Sequence, residues 1–220
     1  MTKKSLFTLA LALTSFASSA NELSYDYVEG GVARHYATTS FPSERDPLKG
    51  GYVRGSFALN DVVYVYGGFA RTSRDELISF ELNYSNYRVD FDDSLIQLGL
   101  GARHPLSDHT DVLVELAYIR DDWQHTIHTP TGSLREKRDG AGGRLNLGLR
   151  EVFSNRVEGW LKVGYLSLDR EFDRYSDNSH GEFIGEVGGQ IRITPRWGVV
   201  AEAQFLHKIT TYQLGVRSNF

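Results

Sequence analysis

The fold class predicted by the sequence is all-β, with antiparallel strands that close an up-and-down barrel through a membrane. Three observations carry this prediction. Apolar and polar residues alternate in ten separate runs, each close to the roughly ten residues that a tilted membrane strand needs. The connections between the runs alternate between short and long. The last run ends on an aromatic residue, Phe220, in a chain that starts with an export signal.

The N-terminal segment, residues 1–20, has the pattern of a cleavable Sec-type signal peptide. Lys3 and Lys4 precede an apolar run at 6–13, and small residues occupy 17–20. The apolar part is too short to span a hydrocarbon core, which takes about 20 apolar residues. We therefore expect cleavage near Ala20 and a single barrel domain over residues 21–220, delivered to the outer membrane of the cell.

Composition excludes several classes of protein. The chain has 24 Lys and Arg against 28 Asp and Glu; without the two signal lysines the counts are 22 and 28, a net charge of −6. Such an acidic surface is a poor partner for nucleic acid. The absence of cysteine excludes disulfides and thiolate metal sites. Stability must come from backbone pairing and packing.

The ten alternating runs are the predicted strands. The first is the least regular, because Tyr25 and Tyr27 share one face while Val28 and Val32 share the other, and it predicts a β-bulge near Glu29. Eight strands are the alternative if the first two runs or the rim hairpins are miscounted. The runs are 24–34, 51–59, 62–71, 95–104, 112–119, 144–150, 157–167, 182–193, 199–206 and 211–220.

The connections predict which end of the barrel faces the cell interior. Short turns rich in Asn, Asp, Pro or Ser are expected at the periplasmic end, at 60–61, 105–111, 153–156 and 194–196. Longer connections at 36–49, 72–94, 120–140 and 168–181, with a shorter one at 207–210, would then lie outside. Alternation continues within two of them around turns at Ser85-Asn86 and Pro130-Thr131-Gly132, which predicts hairpins that rise above the membrane.

Aromatic residues near the strand ends predict two girdles at the membrane interfaces. The periplasmic set is Tyr25, Phe153, Trp197 and Phe220, and the outer set is Phe69, Tyr118, Tyr165, Phe183 and Tyr212. The end of the chain, with Tyr212, Leu214, Val216 and Phe220 at even spacing, resembles the signal that outer-membrane barrels present to their assembly machinery. Ser218 departs from the usual apolar choice.

Short segments of the predicted barrel domain resemble a known family. They are LSYDYVEGG at 23–31, VRGSF at 53–57, the strand at 64–69, RHPLS at 103–107 and the end at Phe220. The chain resembles a family of small gammaproteobacterial outer-membrane barrels once described as activators of plant immunity, within the wider group of OmpA- and OmpX-like barrels. The resemblance implies a barrel in the outer membrane. The connection at 72–94 is longer than the family pattern.

Charged residues on the predicted inward faces are the candidate functional site. Because both signs are present, we expect them to pair and plug the lumen rather than line an ion-selective channel. Arg217 should meet Glu202 or Glu29 on a neighbouring strand. The predicted lumen charge network comprises Arg54, Arg103, Glu115, Arg144, Arg150, Glu158, Lys162, Glu186, Arg192, Glu202 and Arg217.

These patterns favour a structural or surface-interaction role, in adhesion or envelope integrity. A small passive pore is the alternative, and an outer-membrane hydrolase using His125, His128 or His207 is a second one. No catalytic constellation, cofactor or metal site is expected, since His125 and His128 stand three apart and point to opposite faces of a strand. Expected partners are outer-membrane lipid and lipopolysaccharide, the barrel assembly machinery and an extracellular or envelope protein.

Overall fold

Ten antiparallel strands close into one barrel in the computed structural model. The structure describes residues 23–37, 47–80, 85–129, 131–172, 178–207 and 209–220, with side chains at all of these positions except 37, 76–80, 85–87, 170–172 and 178–180. The predicted signal peptide therefore lies outside the described residues. The all-β class and the count of ten strands are confirmed.

The strands follow one another around the barrel in chain order, and the last pairs with the first. Their bounds are β1 Tyr27–Ala37, β2 Leu48–Ala58, β3 Val63–Phe80, β4 Ser85–Ser107, β5 Thr110–Thr129, β6 Gly132–Ser154, β7 Val157–Phe172, β8 Asn178–Arg192, β9 Trp197–Leu206 and β10 Ile209–Asn219.

Closure depends on the pairing of β1 with β10, which runs without interruption from Tyr27 opposite Asn219 to Ala37 opposite Ile209. The pairing of β1 with β2 is equally continuous. The predicted bulge near Glu29 was therefore wrong: odd-numbered residues of β1 face inward and even-numbered ones outward along its whole length. Closure pairs every strand on both sides within the barrel, as a lipid environment requires. Above it, β3 beyond Ser73 and β6 before Arg138 have a partner strand on one side only.

Alternation along each strand separates an apolar exterior from a polar interior. On β6, Leu145, Leu147 and Leu149 are exposed on the outside, whereas Arg144 and Arg150 are buried in the lumen. Exposed Val, Leu, Ile and aromatic residues form a contiguous band around the barrel, far larger than a soluble protein presents to water. This band is suited to contact with lipid chains. Within the described part of the chain, no helix is long and apolar enough to cross a membrane.

Four strands are much longer than a membrane requires. β3 to β6 contain 18, 23, 20 and 23 residues, against about 9–11 for a spanning strand. Their outer halves pair as two hairpins and form a tall wall at one side of the barrel mouth. The turn around Pro130 is confirmed, but the one at Ser85-Asn86 was wrong, because these residues belong to β4 and pair with Phe80 and Ser79.

Candidate functional site: the lumen charge network

Every residue of the predicted lumen charge network lies on the inward face of its strand. Because side chains alternate along a strand, residues an even number of positions from an inward-facing residue also face inward. Most of these side chains are almost fully buried, and Arg103 is the most exposed at 26%. The structure brings nearly all of them into contact, and it adds carboxylates and tyrosines that the sequence prediction did not include.

Glu29 on β1 holds together three strands at the closure of the barrel. Its carboxylate lies 2.9 Å from Arg54 Nη2 on β2 and 2.7 Å from Arg217 Nη2 on β10. The Tyr52 hydroxyl donates a further hydrogen bond of 2.5 Å. The carboxylate is fully buried, so these bonds replace all the water that it would otherwise bind.

Glu158 on β7 gathers three arginines. Arg150 Nη2 on β6 and Arg192 Nη2 on β8 lie 2.8 and 2.9 Å from its two oxygens. Arg217 Nη1, from across the lumen on β10, lies 3.4 Å from one of the same oxygens. Because Arg217 also contacts Glu29, the network continues from one side of the lumen to the other.

A second cluster lies around Lys162 on β7. Its ammonium is 3.1 Å from both Glu115 on β5 and Glu186 on β8. The Tyr64 hydroxyl donates to Glu115 at 2.8 Å. The chain of contacts thus reaches strands on both sides of β7.

Glu202 on β9 joins this region to Glu29. It accepts hydrogen bonds from Arg54 Nη1 at 2.7 Å and from the Trp160 indole at 2.9 Å. Arg54 comes from β2, three strands away around the wall, so this ion pair crosses the lumen. Arg144 is held differently, by the side-chain amide of Gln97 at 2.9 Å.

The end of the lumen at which both chain termini lie is closed by Tyr25, just before β1. Its hydroxyl donates to Asp111 on β5 at 2.8 Å, and its ring lies between Arg103 and Arg150, at 4.8 and 4.7 Å. Tyr25 is only 4% exposed, so its assignment to the periplasmic aromatic girdle was wrong. Asp111 likewise belongs to β5 rather than to the turn in which it was predicted.

Sequence reasoning left Asp111, Tyr25 and Tyr52 out of the network, and it named Glu29 only as an alternative to Glu202 as the partner of Arg217; the structure pairs Arg217 with Glu29 at 2.7 Å. Parity was the signal available for these residues, since Tyr25 shares odd numbering with Glu29, Asp111 shares it with Glu115, and Tyr52 shares even numbering with Arg54. The expected bulge and an overlong turn hid this signal. Apart from the Arg217–Glu29 pair on neighbouring strands, the partners could not be predicted from the sequence, because contacts across the lumen depend on barrel closure.

Glycines make room for the lumen aromatics on neighbouring strands. A Cβ at Gly101 or Gly99 would overlap the ring of Tyr64 or Tyr66, and one at Gly188 would overlap Trp160. Each ring therefore lies flat against backbone where a side chain would otherwise stand. This arrangement places Tyr64 within reach of Glu115.

The network nearly balances its charges and fills the middle of the barrel. With Glu29 and Asp111 included, seven cationic side chains face six carboxylates. Above it, toward the outer mouth, a cavity of about 100 Å³ has Gln97, Gln204 and Gln213 in its walls and Arg54 and Glu202 at its floor. In the described residues no group of three or more His, Asp or Glu side chains has the placement to hold a metal ion.

The histidines of the tall wall lie apart from this network. His125 faces inward, with its ring 5.1 Å from Trp123 and 5.9 Å from Phe91. His128 faces outward and lies 2.9 Å from Asp90. Desolvation opposes ionisation of Asp90, but hydrogen bonds from Arg88 and His128 outweigh it and hold the pKa of this carboxyl below its usual range.

The predicted assembly signal lies on the exterior of the last strand. Tyr212, Leu214 and Val216 are half exposed and point outward from β10, and Phe220 follows the strand with 41% of its surface exposed. The main chain of Phe220 donates to Asp26 O at 3.1 Å, which fixes the end of the chain beside the start of β1.

No family model matches this chain, and no curated protein matches it. Solved structures with a similar fold are outer-membrane barrels. The translocator domain of the autotransporter NalP from Neisseria meningitidis has 13% identity and a TM-score of 0.53, over 91% of this chain and 90% of that one. The outer-membrane protease OmpT from Escherichia coli has 12% identity and a TM-score of 0.52, over 92% of this chain and all of that one.

A third similar structure is the transport unit of the autotransporter AIDA-I from Escherichia coli, with 9% identity and a TM-score of 0.51, over 96% of this chain and 94% of that one. At these identities the likeness establishes the fold and nothing about activity. The chain has the fold of an outer-membrane β-barrel.

Proposed function

We propose that this protein is an outer-membrane β-barrel whose lumen is closed to ions by its charge network. Its tall outer wall then serves a structural or surface-interaction role in the cell envelope, in adhesion or envelope integrity. The network from Glu29 through Arg217 to Glu158 carries the proposal, because it joins opposite sides of the lumen with paired, desolvated charges. A conducting pore needs a continuous water path with weak, exchangeable contacts.

The wall supports the second part of the proposal. Strands of up to 23 residues continue well above the apolar band, and their outer halves expose Arg, Lys, Asp and His side chains. A paired sheet of this kind presents a rigid surface at little cost in conformational entropy, which favours recognition of a partner.

Conductance of the purified protein in planar bilayers tests the closed lumen. We expect no steady current steps from the unaltered protein. The double variant Lys162→Gly/Glu186→Gly removes a lumen ion pair without changing net charge, and we expect it to conduct. The control Asp75→Gly/Arg88→Gly removes an exposed pair outside the lumen and should stay closed. Large, stable steps from the unaltered protein would establish the pore instead.

We also propose that the barrel is not an enzyme. His128 pairs with Asp90 on the exposed outer face, whereas His125 is stacked with Phe91 and Trp123 on the inner face. The two imidazoles therefore do not converge on one reacting atom, as acid–base catalysis would require. We expect the unaltered protein to hydrolyse neither peptides nor lipids. Hydrolysis that disappears in the variant His125→Gln/His128→Gln/His207→Gln would overturn this proposal.

Kinship with the plant-immunity barrel family remains a proposal based on the short segments named above. Delivery by a cleaved signal peptide and recognition of the Phe220 terminus by the assembly machinery are proposals of the same kind. Exposure of Tyr212, Leu214 and Val216 on one face supports recognition by the assembly machinery, since a partner must contact these side chains from outside the closed barrel.

A further inference from the structure

The outward face of the tall wall contains a charged groove. It spans β3 to β6, has a volume of about 460 Å³ and begins at Phe69, in the outer aromatic girdle. Apart from Asp93 and Trp123, which belong to the inward-facing sets of β4 and β5, the residues that line it point away from the lumen, so the groove faces the surroundings of the barrel. The charge network described above contributes nothing to it.

Each of the four strands changes from apolar to charged at the base of this groove. The outward residues of β4 end their apolar series at Leu98 and Ile96, and Ser94 and Asp92 follow. On β5, Leu116 and Tyr118 are followed by Arg120 and Asp122 in the same way. The change falls where lipid chains would give way to headgroups.

On β3 the change is from Phe69 to Arg71. On β6 it is from Leu145, through the small residues Gly143 and Ala141, to Asp139 and Lys137. The base of the groove therefore adjoins the apolar band on all four strands. A ligand in the groove would lie at headgroup level and touch the band below.

The groove presents four cationic side chains, those of Arg71, Arg120, Arg135 and Lys137. Arg71 and Arg120 have 66% and 53% of their side-chain surface exposed, and each has an acidic neighbour, at 3.1 and 3.3 Å. Exposed pairs of this kind contribute about 0–1 kcal/mol, so an anion can compete for them. Lys137 has no ion pair in the described part of the chain.

Polar acceptors lie between these cations. Asp92, Asp122 and Asp139 line the groove together with Gln124, which accepts a hydrogen bond from Arg135. Guanidinium groups match phosphate oxygens in two-pronged geometry, and carboxylate or amide oxygens accept hydrogen bonds from sugar hydroxyls. A phosphorylated sugar can pair its phosphates with the cations and its hydroxyls with the acceptors. A simple anion has no hydroxyl donors for the carboxylates and would be repelled by them.

The groove brings its charged groups together on four adjacent strands, whereas the outward cations Arg34 and Lys49 of β1 and β2 lie outside it. At the outer ends of β7, β8 and β10 the outward residues are aromatic, namely Tyr165, Phe183 and Tyr212. An aromatic girdle suits any lipid interface, but the groove combines a concave shape, fixed charges and an adjoining apolar floor. This combination is matched to a ligand that has both a charged sugar head and hydrocarbon chains.

We propose that the groove on β3–β6 binds the phosphorylated sugar headgroup of an outer-leaflet glycolipid. Its phosphates contact Arg71, Arg120 and Lys137, and its acyl chains lie against the apolar band below. The inference rests on the proposed placement in the outer membrane with the tall wall outside. It does not depend on whether the lumen conducts.

Native mass spectrometry of the full-length protein in detergent tests this site with bisphosphorylated lipid A as the probe. We expect the variant Arg71→Gln/Arg120→Gln/Lys137→Gln to bind this lipid at least about tenfold more weakly. The matched control Arg34→Gln/Lys49→Gln/Arg156→Gln removes the same charge at exposed positions outside the groove, and its affinity should change less than about twofold. Both variants alter exposed side chains, and resistance of the folded barrel to unheated gel electrophoresis verifies the fold.

Two further probes identify the recognised part of the lipid. Lipid A without phosphates should bind as weakly to the unaltered protein as the phosphorylated lipid binds to the groove variant. Inorganic phosphate at millimolar concentration should not displace the lipid. Equal losses in the groove and control variants would overturn the proposal, and displacement by inorganic phosphate would reassign the groove to free anions. A barrel that neither conducts nor binds lipid A would refute this site and leave the closed lumen standing.

Discussion

Replacing Glu158 by glutamine is expected to lower the free energy of unfolding by about 3–5 kcal/mol. Glu158 is 2% exposed and contacts Arg150, Arg192 and Arg217. Its neutralisation leaves three desolvated guanidinium groups with too few carboxylates, and a buried charge without a partner costs far more than a surface one. Urea unfolding in lipid vesicles, followed by the fluorescence of the three tryptophans, measures the loss.

Two companion variants make the Glu158 result specific. Glu151→Gln removes an exposed carboxylate from the strand next to Glu158 and should change stability by less than about 0.5 kcal/mol. Glu158→Gln/Arg192→Gln removes one cation together with the anion, so part of the lost stability should return. If the double variant is as unstable as the separate losses of Glu158→Gln and Arg192→Gln added together, Arg192 is not stabilised by Glu158.

Replacing Gly101 by valine is expected to lower the free energy of unfolding by about 2–4 kcal/mol. The loss has two causes, overpacking of the lumen and a buried hydrogen-bonding group left without its partner. A Cβ at this position would overlap the Tyr64 ring, and moving the ring breaks its 2.8 Å hydrogen bond to Glu115. Gly185→Val is the matched control, because nothing lies within 4 Å of a Cβ there. The same urea titration compares them.

Measuring Gly101→Val in a protein that also has Tyr64→Ala shows whether the loss of stability comes from overlap with the Tyr64 ring or from valine at this position of the strand in general. With the ring removed, valine at 101 should cost much less than in the unaltered protein, since the two changes share one volume. An equal cost in both backgrounds, or equal effects of Gly101→Val and Gly185→Val, would contradict the packing of Tyr64 over Gly101.

Much of the barrel could be predicted because a membrane strand has a simple rule. Leu145, Leu147 and Leu149 alternate with Arg144, Asn146 and Arg150, and period two sends these sets to opposite faces whatever the partner strands are. The same rule placed Glu115 and Lys162 on the inward side. It failed at β1, where glycines and two tyrosines obscured a regular alternation, and at the ends of the tall hairpins, where the turn was put at Ser85-Asn86.

The sequence by itself thus determined the class, the strand count and the side of the wall on which most of the lumen charges stand, because these depend on local alternation and on hydropathy. Apart from the pairing of Arg217, for which the sequence offered Glu29 or Glu202, only the tertiary structure decided which charges meet. Arg54 reaches Glu202 across three strands, and Tyr25 reaches Asp111 on the far wall. Such pairs, like the groove of Arg71, Arg120 and Lys137, depend on the stagger and closure of the barrel. Closure depends on all ten strands together, so local alternation in the sequence does not predict it.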